Sequence, residues 1–320
     1  MFAGFAHLWT PIALARELGA RPLGLTVAGT PVALFRDGAG RAHGLIDRCP
    51  HRSVKLSLGR VEGGCLTCPF HGWRFAGDGA CVEVPWHPDA RLERLGATPV
   101  PTREVGGFIW IFTGLEAQGE PAPPAEVLQG DVTLYGNTFT WQAHWTRVVE
   151  NMADDAHLPF VHPRTIGRGM RKRITSRADP DRRGRLALDV HDHPWGTAWT
   201  VVMDGVAADW SSELRFPNVS LLRIPVPGKS LGICMAAVPI DEGRVRVLQL
   251  GYRNFLKPSI FNPIFNAINR RVLREDQAVV EASPPGPVPP PRWERSVATD
   301  EVGLRFRKRL YAELLPPGEG

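Results

Sequence analysis

Two short stretches of the sequence each pair a cysteine with a histidine. Residues 49–51 read CPH and residues 68–73 read CPFHGW, so the overall pattern is C-x-H-x16-C-x2-H. Thiolate sulfur and imidazole nitrogen both bind metals, and such a set could hold a tetrahedral zinc ion or a two-iron cluster. Zinc fingers usually pair their histidines with each other, whereas each stretch here supplies one sulfur and one nitrogen. This mixed pairing favours a two-iron cluster that lies between two facing loops.

A second group of potential ligands lies in residues 150–162, which read ENMADDAHLPFVH. On an unbroken helix, the five steps from His157 to His162 turn the chain by about 500°, so the two rings would diverge. Pro159 disfavours helical backbone at Leu158. We therefore expect the helix to end at Leu158 and the second histidine to swing towards the first.

A third ligand is expected from the helical pattern at 262–282. Asp276 has apolar neighbours one turn away on both sides, namely Val272, Leu273, Val279 and Val280. A carboxylate on an apolar face is costly unless it is paired or binds a metal. Glu275 has Arg271 four residues before it, so we interpret Glu275 as half of a surface ion pair. Two histidines and one carboxylate form the facial triad of non-haem Fe(II) oxygenases.

Together the two groups resemble the terminal oxygenase (α) component of the Rieske non-haem iron ring-hydroxylating oxygenases. CPHR and CPFHGW resemble the two Rieske loops, and the stretch from Asn151 to His162 resembles the iron motif N-x-x-D-x-x-H-x4-H. The resemblance implies ligands for two centres: Cys49 and Cys68 on one iron of a [2Fe–2S] cluster, His51 and His71 on the other, and His157, His162 and Asp276 on a mononuclear Fe(II).

Asp154 matches the aspartate of the iron motif and is our candidate catalytic residue. It lies three residues before His157, where it could accept the free ring N–H of that histidine and fix its tautomer. The alternative is an exposed acid beside Asp155. The resemblance also implies that Asp154 bridges to His71 of the partner subunit in a homotrimer, because the two centres of one chain would be too far apart for direct electron transfer.

The resemblance implies a reaction that uses O2, an organic small molecule and electrons from NAD(P)H. The chain has no G-x-G-x-x-G fingerprint after a strand, so a separate ferredoxin or flavin reductase would supply the electrons. The short length resembles α-only members that hydroxylate or oxidatively demethylate their substrates. Cis-dihydroxylation of an aromatic ring and a purely electron-transferring Rieske protein are the alternatives. Met152, Leu158 and Phe160 are candidates to line the substrate pocket or to pack in the core.

The elements that must position these residues divide into two parts. Residues 1–117 read as a β-rich Rieske domain, with a hairpin turn at RDGAGR. The segment 116–131 is rich in proline, glycine and acidic residues and reads as a linker. Residues 118–320 read as a catalytic domain with an antiparallel sheet covered by helices, with Thr146 as one N-cap. The predicted class is α+β, with a helix-grip-like second domain.

Composition limits the other functions. The chain has 320 residues, 43% hydrophobic residues and a net charge of +5. Its basic runs, 168–173 and 305–309, are short, so we expect no nucleic-acid partner. No stretch reaches the ~20 apolar residues that a bilayer requires, and the N-terminus lacks the basic region of a signal peptide. Five cysteines, an odd number, suit a reducing cytoplasm. We interpret three of them as non-ligands: Cys65, Cys81 and Cys234.

Overall fold

The computed structural model describes residues 2, 4–128, 130–170, 186–204 and 206–315, without the side chains of 206–209. It divides the chain into two compact units. One comprises Met1–Pro123 with Val238–Asp241, and the other comprises Pro124–Ala237 with Glu242–Gly320. The chain therefore first passes between units after Pro123, a few residues beyond the predicted 117/118 boundary, and it returns briefly to the first unit at Val238–Asp241.

The N-terminal unit consists of three small sheets with antiparallel pairing. Their orders are β1-β11-β10, β2-β3-β4-β9 and β5-β6-β7-β8. The strand bounds are β1 Trp9–Leu14, β2 Leu23–Val27, β3 Thr30–Arg36, β4 Ala42–Ile46, β5 Arg60–Glu62, β6 Cys65–Thr67, β7 Arg74–Phe75, β8 Cys81–Glu83, β9 Pro99–Val100, β10 Thr102–Val105 and β11 Phe108–Phe112.

The hairpin turn between β3 and β4 has the chemistry that its sequence predicts. The Oδ1 atom of Asp37 accepts hydrogen bonds from the backbone N–H groups of Ala39 and Arg41, each at 2.9 Å. Gly40 has a φ of +80°, a conformation that costs glycine little. The aspartate and the glycine together set the register of β3 against β4.

The C-terminal unit is built on a seven-stranded sheet with the order β12-β18-β17-β16-β15-β14-β13. Strands β13 to β17 pair successively as antiparallel neighbours, and β12 pairs antiparallel with β18. The bounds are β12 Thr133–Trp141, β13 Leu186–His193, β14 Gly196–Met203, β15 Val206–Arg215, β16 Val219–Val226, β17 Lys229–Pro239 and β18 Val245–Arg253. The helices are α1 Trp145–Met152, α2 Leu158–Val161, α3 Asn262–Val280 and α4 Glu301–Glu313.

Helix α3 contacts β12 and carries one buried face. Its buried residues are Asn269, Leu273, Asp276 and Val280, which recur at the three- and four-residue spacing of one helix side. A long helix on an antiparallel sheet confirms the predicted α+β class and the helix-grip-like arrangement. No helix in the described residues is both long and apolar enough to cross a bilayer.

Two local predictions about the 146–162 segment are wrong. The N-cap of helix α1 lies two residues earlier than expected, because His144 rather than Thr146 is the N-cap, and its Nδ1 accepts the Thr146 backbone N–H at 3.3 Å. Helix α1 also ends at Met152, well before its expected end at Leu158. The Oδ1 atom of Asp154 accepts the Ala156 N–H at 2.7 Å, a local turn that competes with the helix. Pro159 then lies in the first turn of α2, where its missing N–H costs nothing.

The basic run 305–309 is neutralised by neighbouring acids. Arg305 pairs with Glu301 and Asp192, Arg307 with Glu150 and Glu294, and Arg309 with Glu313. Residues 171–173 of the other basic run lie outside the described residues.

Candidate metal centres

The cysteine–histidine loops lie at the edge of the N-terminal unit. Cys49 and Cys68 are each 2% exposed and belong to the core cluster around Leu45, Leu66 and Phe75. Each loop closes on itself: the Ser53 N–H donates to the Cys49 carbonyl at 2.9 Å, and the Gly72 N–H donates to the Cys68 carbonyl at 3.1 Å. Gly72 has a φ of +73°, so its position favours glycine.

The two histidines of these loops lie side by side towards solvent. The rings of His51 and His71 are 4.7 Å apart between centroids, and His51 also stacks on Trp73 at 4.6 Å. The sulfurs therefore lie on the inner side of the site and the imidazoles on the outer side. This segregation suits a cluster with two cysteines on one iron and two histidines on the other.

The ionisation of these side chains also fits metal binding. Burial raises the pKa of the Cys49 thiol to about 11, although the backbone N–H groups of His51 and Arg52 oppose this by hydrogen-bonding the sulfur. A buried thiol of this kind ionises readily only when a metal takes the place of its proton. Desolvation, followed by the charges of His71 and Arg52, lowers the pKa of His51, which favours the neutral imidazole that binds metals.

Among the described residues, His157, His162 and Asp276 are the one group of three or more potential ligands whose donor atoms lie within 4.8 Å of one another. The four loop residues form no such group, so their donors are spread more widely than a single zinc ion requires. A spread wider than one ion requires is compatible with a two-iron cluster, and the tight second group is the one expected for a single ion.

The second group is assembled by three elements. His157 is the N-cap of α2, His162 is its C-cap, and Asp276 lies on the buried face of α3. Oδ1 of Asp276 is 2.9 Å from Nε2 of His162 and 3.4 Å from Nε2 of His157. The turn at 153–157 and the four-residue helix α2 thus bring the two rings to the same carboxylate, as the sequence analysis expects.

The electrostatics of this group favour a shared cation. Burial alone would lower the pKa of His157, but Asp154 and Asp276 raise it to about 9. Burial opposes ionisation of Asp276, yet the two histidines lower its pKa to about 2. Protons on the imidazoles here occupy the place that a metal ion would fill. Two imidazoles and a carboxylate around one point are the donor set of a non-haem Fe(II) centre, so the residues fit that ion.

Glu275 has a role that the sequence analysis missed. Its Oε2 atom accepts from Nδ1 of His162 at 2.8 Å and from the Thr165 hydroxyl at 2.9 Å. Arg271 lies 3.5 Å from the other carboxylate oxygen, so the expected surface pair is present but secondary. With its Nδ1 proton held by Glu275, His162 presents its Nε2 lone pair to the metal position.

Asp154 and Asp155 flank the site differently. Oδ2 of Asp154 is 3.6 Å from Nδ1 of His157, which is beyond hydrogen-bond distance but close enough for charge attraction. The Asp154 side chain is 41% exposed, so it remains open to a second partner. Burial raises the pKa of Asp155, which accepts a 2.5 Å hydrogen bond from the Trp199 indole. Asp155 therefore lies inside the unit, and the alternative interpretation, an exposed pair of Asp154 and Asp155, does not hold.

A cavity of about 100 Å³ opens beside the three potential ligands. Met152 and Leu158 line it, which is one of the two roles that the sequence left open for them, whereas Phe160 is 68% exposed and takes neither role. Much of the remaining wall is apolar and comes from β16, β17 and α3, including Leu221, Ile233, Met235 and Leu273. The site is thus an apolar pocket with one polar, metal-competent end.

Fold and sites together define a class: an iron–sulfur domain joined to an α+β domain that carries a two-histidine, one-carboxylate centre. The sequence matches the Rieske [2Fe–2S] domain family over residues 8–100 and the vanillate O-demethylase oxygenase C-terminal domain family over residues 141–314. The chain therefore belongs to the Rieske non-haem iron oxygenases. The cofactors of this family are a Rieske [2Fe–2S] cluster and a mononuclear iron.

Individual relatives agree with this assignment. The chain is 39% identical to the 4beta-methylsterol monooxygenase of Methylococcus capsulatus over 42% of this chain and 40% of the relative. It is 33% identical to the phthalate 4,5-dioxygenase oxygenase subunit of Pseudomonas putida over 73% and 56% of the two chains. The structure of NdmA from Pseudomonas putida CBB5 superposes with a TM-score of 0.78 at 24% identity, covering 95% of this chain and 89% of NdmA. The chain spans about half the length of the curated relatives it matches.

Proposed function

We propose that this chain is the terminal component of an oxygenase system that monooxygenates an organic small molecule, by hydroxylation or by oxidative demethylation. It would use O2 and electrons from NAD(P)H, delivered by a separate ferredoxin or flavin reductase. The observation that carries the proposal is the convergence of His157, His162 and Asp276 at the polar end of an apolar cavity. The matched C-terminal family, named for vanillate O-demethylase, supports this choice.

Each iron centre in this proposal has its own set of protein ligands. The [2Fe–2S] cluster would be held by Cys49, His51, Cys68 and His71. The Fe(II) ion would be held by His157, His162 and Asp276. When bound, the two iron centres supply the electron transfer and the O2 chemistry. The side chains around them orient the ligands, bind the substrate and exclude water.

The protein residues around the Fe(II) position have distinct tasks. Glu275 holds the Nδ1 proton of His162, so that this ring offers the correct nitrogen. His157 and His162 approach one oxygen of Asp276, which leaves the cavity side open for substrate. The apolar wall excludes water from that side and accepts the carbon skeleton of the substrate.

Asp154 is proposed as the bridge for electrons between subunits. One carboxylate oxygen is engaged by the Ala156 N–H, and the other faces His157 at 3.6 Å. Its partial exposure leaves room for a hydrogen bond from His71 of the partner subunit. The homotrimer and the cytoplasmic location remain predictions that accompany this proposal.

The decisive experiment measures iron and product together. The purified protein should contain three irons per chain, two in the cluster and one at the triad. With a surrogate reductase and a substrate panel under ¹⁸O2, one labelled oxygen should enter the hydroxylated product or, in a demethylation, the released aldehyde, and the other should leave as water. A His157→Ala variant should keep the cluster spectrum, lose one iron and make no product.

Two results would point elsewhere. Entry of two labelled oxygens into one product would identify a cis-dihydroxylating dioxygenase; the phthalate relative is named as a dioxygenase. Two irons per chain with no coupled O2 uptake would identify a Rieske electron-transfer protein without catalytic iron.

A further inference from the structure

Some polar side chains of the described cavity wall have no task assigned above, and Gln249 is the most deeply buried of those whose amide nitrogen has no partner. Gln249, on β18, is 0% exposed and lines the cavity beside the three potential ligands. Its Oε1 atom accepts a 2.9 Å hydrogen bond from Nδ2 of Asn137. Its Nε2 atom is buried and has no hydrogen-bond partner among the described residues. Buried N–H donors in folded proteins nearly always have an acceptor, so this amide calls for one.

The orientation of the Gln249 amide follows from its neighbours. Nδ2 of Asn137 also lies 3.2 Å from the backbone carbonyl of Asn266, which can only accept. Oδ1 of Asn137 lies 3.3 Å from Nη2 of Arg270, which can only donate. Asn137 must therefore donate to Gln249 through its NH2 group, and Gln249 must accept this hydrogen bond with its carbonyl oxygen. The NH2 group of Gln249 is therefore a donor without a partner among the described residues, on a side chain that lines the cavity.

The charged residues that line the cavity indicate which kind of acceptor group a ligand would carry. The described lining residues include no lysine or arginine, and they include the acids Asp154, Asp155 and Asp276. Apart from the iron position and its imidazoles, a carboxylate ligand would have no cationic partner in the described lining. A neutral carbonyl oxygen needs only an N–H donor, which Gln249 provides. The apolar wall then suits the remainder of the ligand.

We propose that Gln249 is a specificity-determining residue, which donates a hydrogen bond to a carbonyl-type oxygen of a neutral, largely apolar substrate. This inference rests on the proposed oxygenase function, because it assigns the cavity to the substrate. At about 100 Å³, the cavity is smaller than the about 150 Å³ that admits benzene, so it limits the substrate to a single small ring. The substrate class is therefore a small aromatic or cyclic compound that carries an uncharged carbonyl group.

Three probes of similar size test the proposal: acetophenone with a neutral acceptor, ethylbenzene with none, and benzoate with an anionic one. Dissociation constants are measured for the intact holoprotein by anaerobic equilibrium dialysis, so no turnover is needed. Transfer from water favours the ethyl compound, so tighter binding of acetophenone requires a polar partner in the cavity. The wild type should bind acetophenone tightest and benzoate weakest.

The variants are Gln249→Met, which keeps the length of the side chain, and Gln142→Met, the same change at an exposed glutamine. Gln249→Met should lower the acetophenone-to-ethylbenzene affinity ratio about three- to tenfold, and Gln142→Met should not change it. A Gln249→Leu variant replaces Gln249→Met if the latter does not fold, as judged by circular dichroism and the cluster absorbance.

Four outcomes would overturn the proposal: tightest binding of ethylbenzene or of benzoate by the wild type, an unchanged ratio in the Gln249 variant, or no binding of any probe. None of these depends on iron at the triad or on product formation. Failure of the proposed function would appear in the iron count and the O2 uptake, and it is therefore distinguishable.

Discussion

Replacement of Glu275 should weaken metal binding at the triad without touching the iron–sulfur cluster. Glu275 accepts from His162 at 2.8 Å, and the His162 side chain is only 1% exposed. A charge-assisted hydrogen bond of this kind contributes about 1.5–3 kcal/mol, which corresponds to roughly 10–100-fold in affinity. The Glu275 side chain is 24% exposed, so solvent screening favours the lower half of that range. We expect Glu275→Met to lower Fe(II) affinity about 10–30-fold, and Glu275→Gln to lower it less.

A chelator first removes the metal from the mononuclear site. The protein is then titrated anaerobically with Fe(II) or Co(II), and a coloured chelator competes with the protein for the metal. The cluster absorbance serves as an internal standard for folded protein. Arg271→Met is the matched control, because Arg271 is 62% exposed and its 3.5 Å contact with Glu275 should contribute little. Unchanged affinity in Glu275→Met would refute the reasoning, as would an equal loss in Arg271→Met, which would make the surface pair the important contact.

Three further predictions test other parts of the structure. Asp154→Asn should keep both iron centres but slow reduction of the mononuclear site by at least tenfold in rapid-mixing experiments, and turnover at the parent rate would exclude the bridge. His144 is neutral when folded because burial lowers its pKa from 6.5 to about 4, whereas the unfolded chain takes up the proton, so acid favours unfolding between pH 6.5 and pH 4. The free energy of unfolding, measured by urea titration, should therefore fall by about 2 kcal/mol more in the wild type than in His144→Asn when the pH is lowered from 7 to 5. Equal falls in the two proteins would contradict this prediction. Arg307→Ala leaves the carboxylate of Glu150 buried without its partner and should cost about 3 kcal/mol in the same assay, whereas Lys257→Ala at an exposed pair should cost under about 1 kcal/mol; similar costs would show that the buried pair is not special.

The residues with metal chemistry were predictable because their pattern is local and their types are specific. Two cysteine–histidine loops admit few uses, and Asp276 stands out as a carboxylate on an apolar helix face. The structure brings Asp276 to His157 and His162, although their roles as ligands remain predictions. The bend between the histidines was expected for the wrong reason. The Asp154 side chain turns the chain before Leu158, and such side-chain competition with a helix is hard to weigh from sequence.

Other residues gave no usable signal. Glu275 had a sufficient local explanation in Arg271, and its contact with His162 joins positions 113 residues apart. Gln249 looks like any polar residue within a strand until the neighbouring amides and the cavity are known. In both cases the informative contact is made by the folded chain across distant segments, which pattern and spacing do not encode.

Helix α3 carries both a part of the cavity wall and one of the proposed metal ligands. Leu273 and Asn269 form part of the cavity wall, and Asp276 lies on the same side of the same helix. Because these three residues belong to one continuous helix, a substrate that displaced the wall residues would be expected to displace the carboxylate as well. Binding in the pocket would thereby change the position of the carboxylate at the proposed metal site. A tightly fitting substrate and a loosely fitting one would change it to different extents.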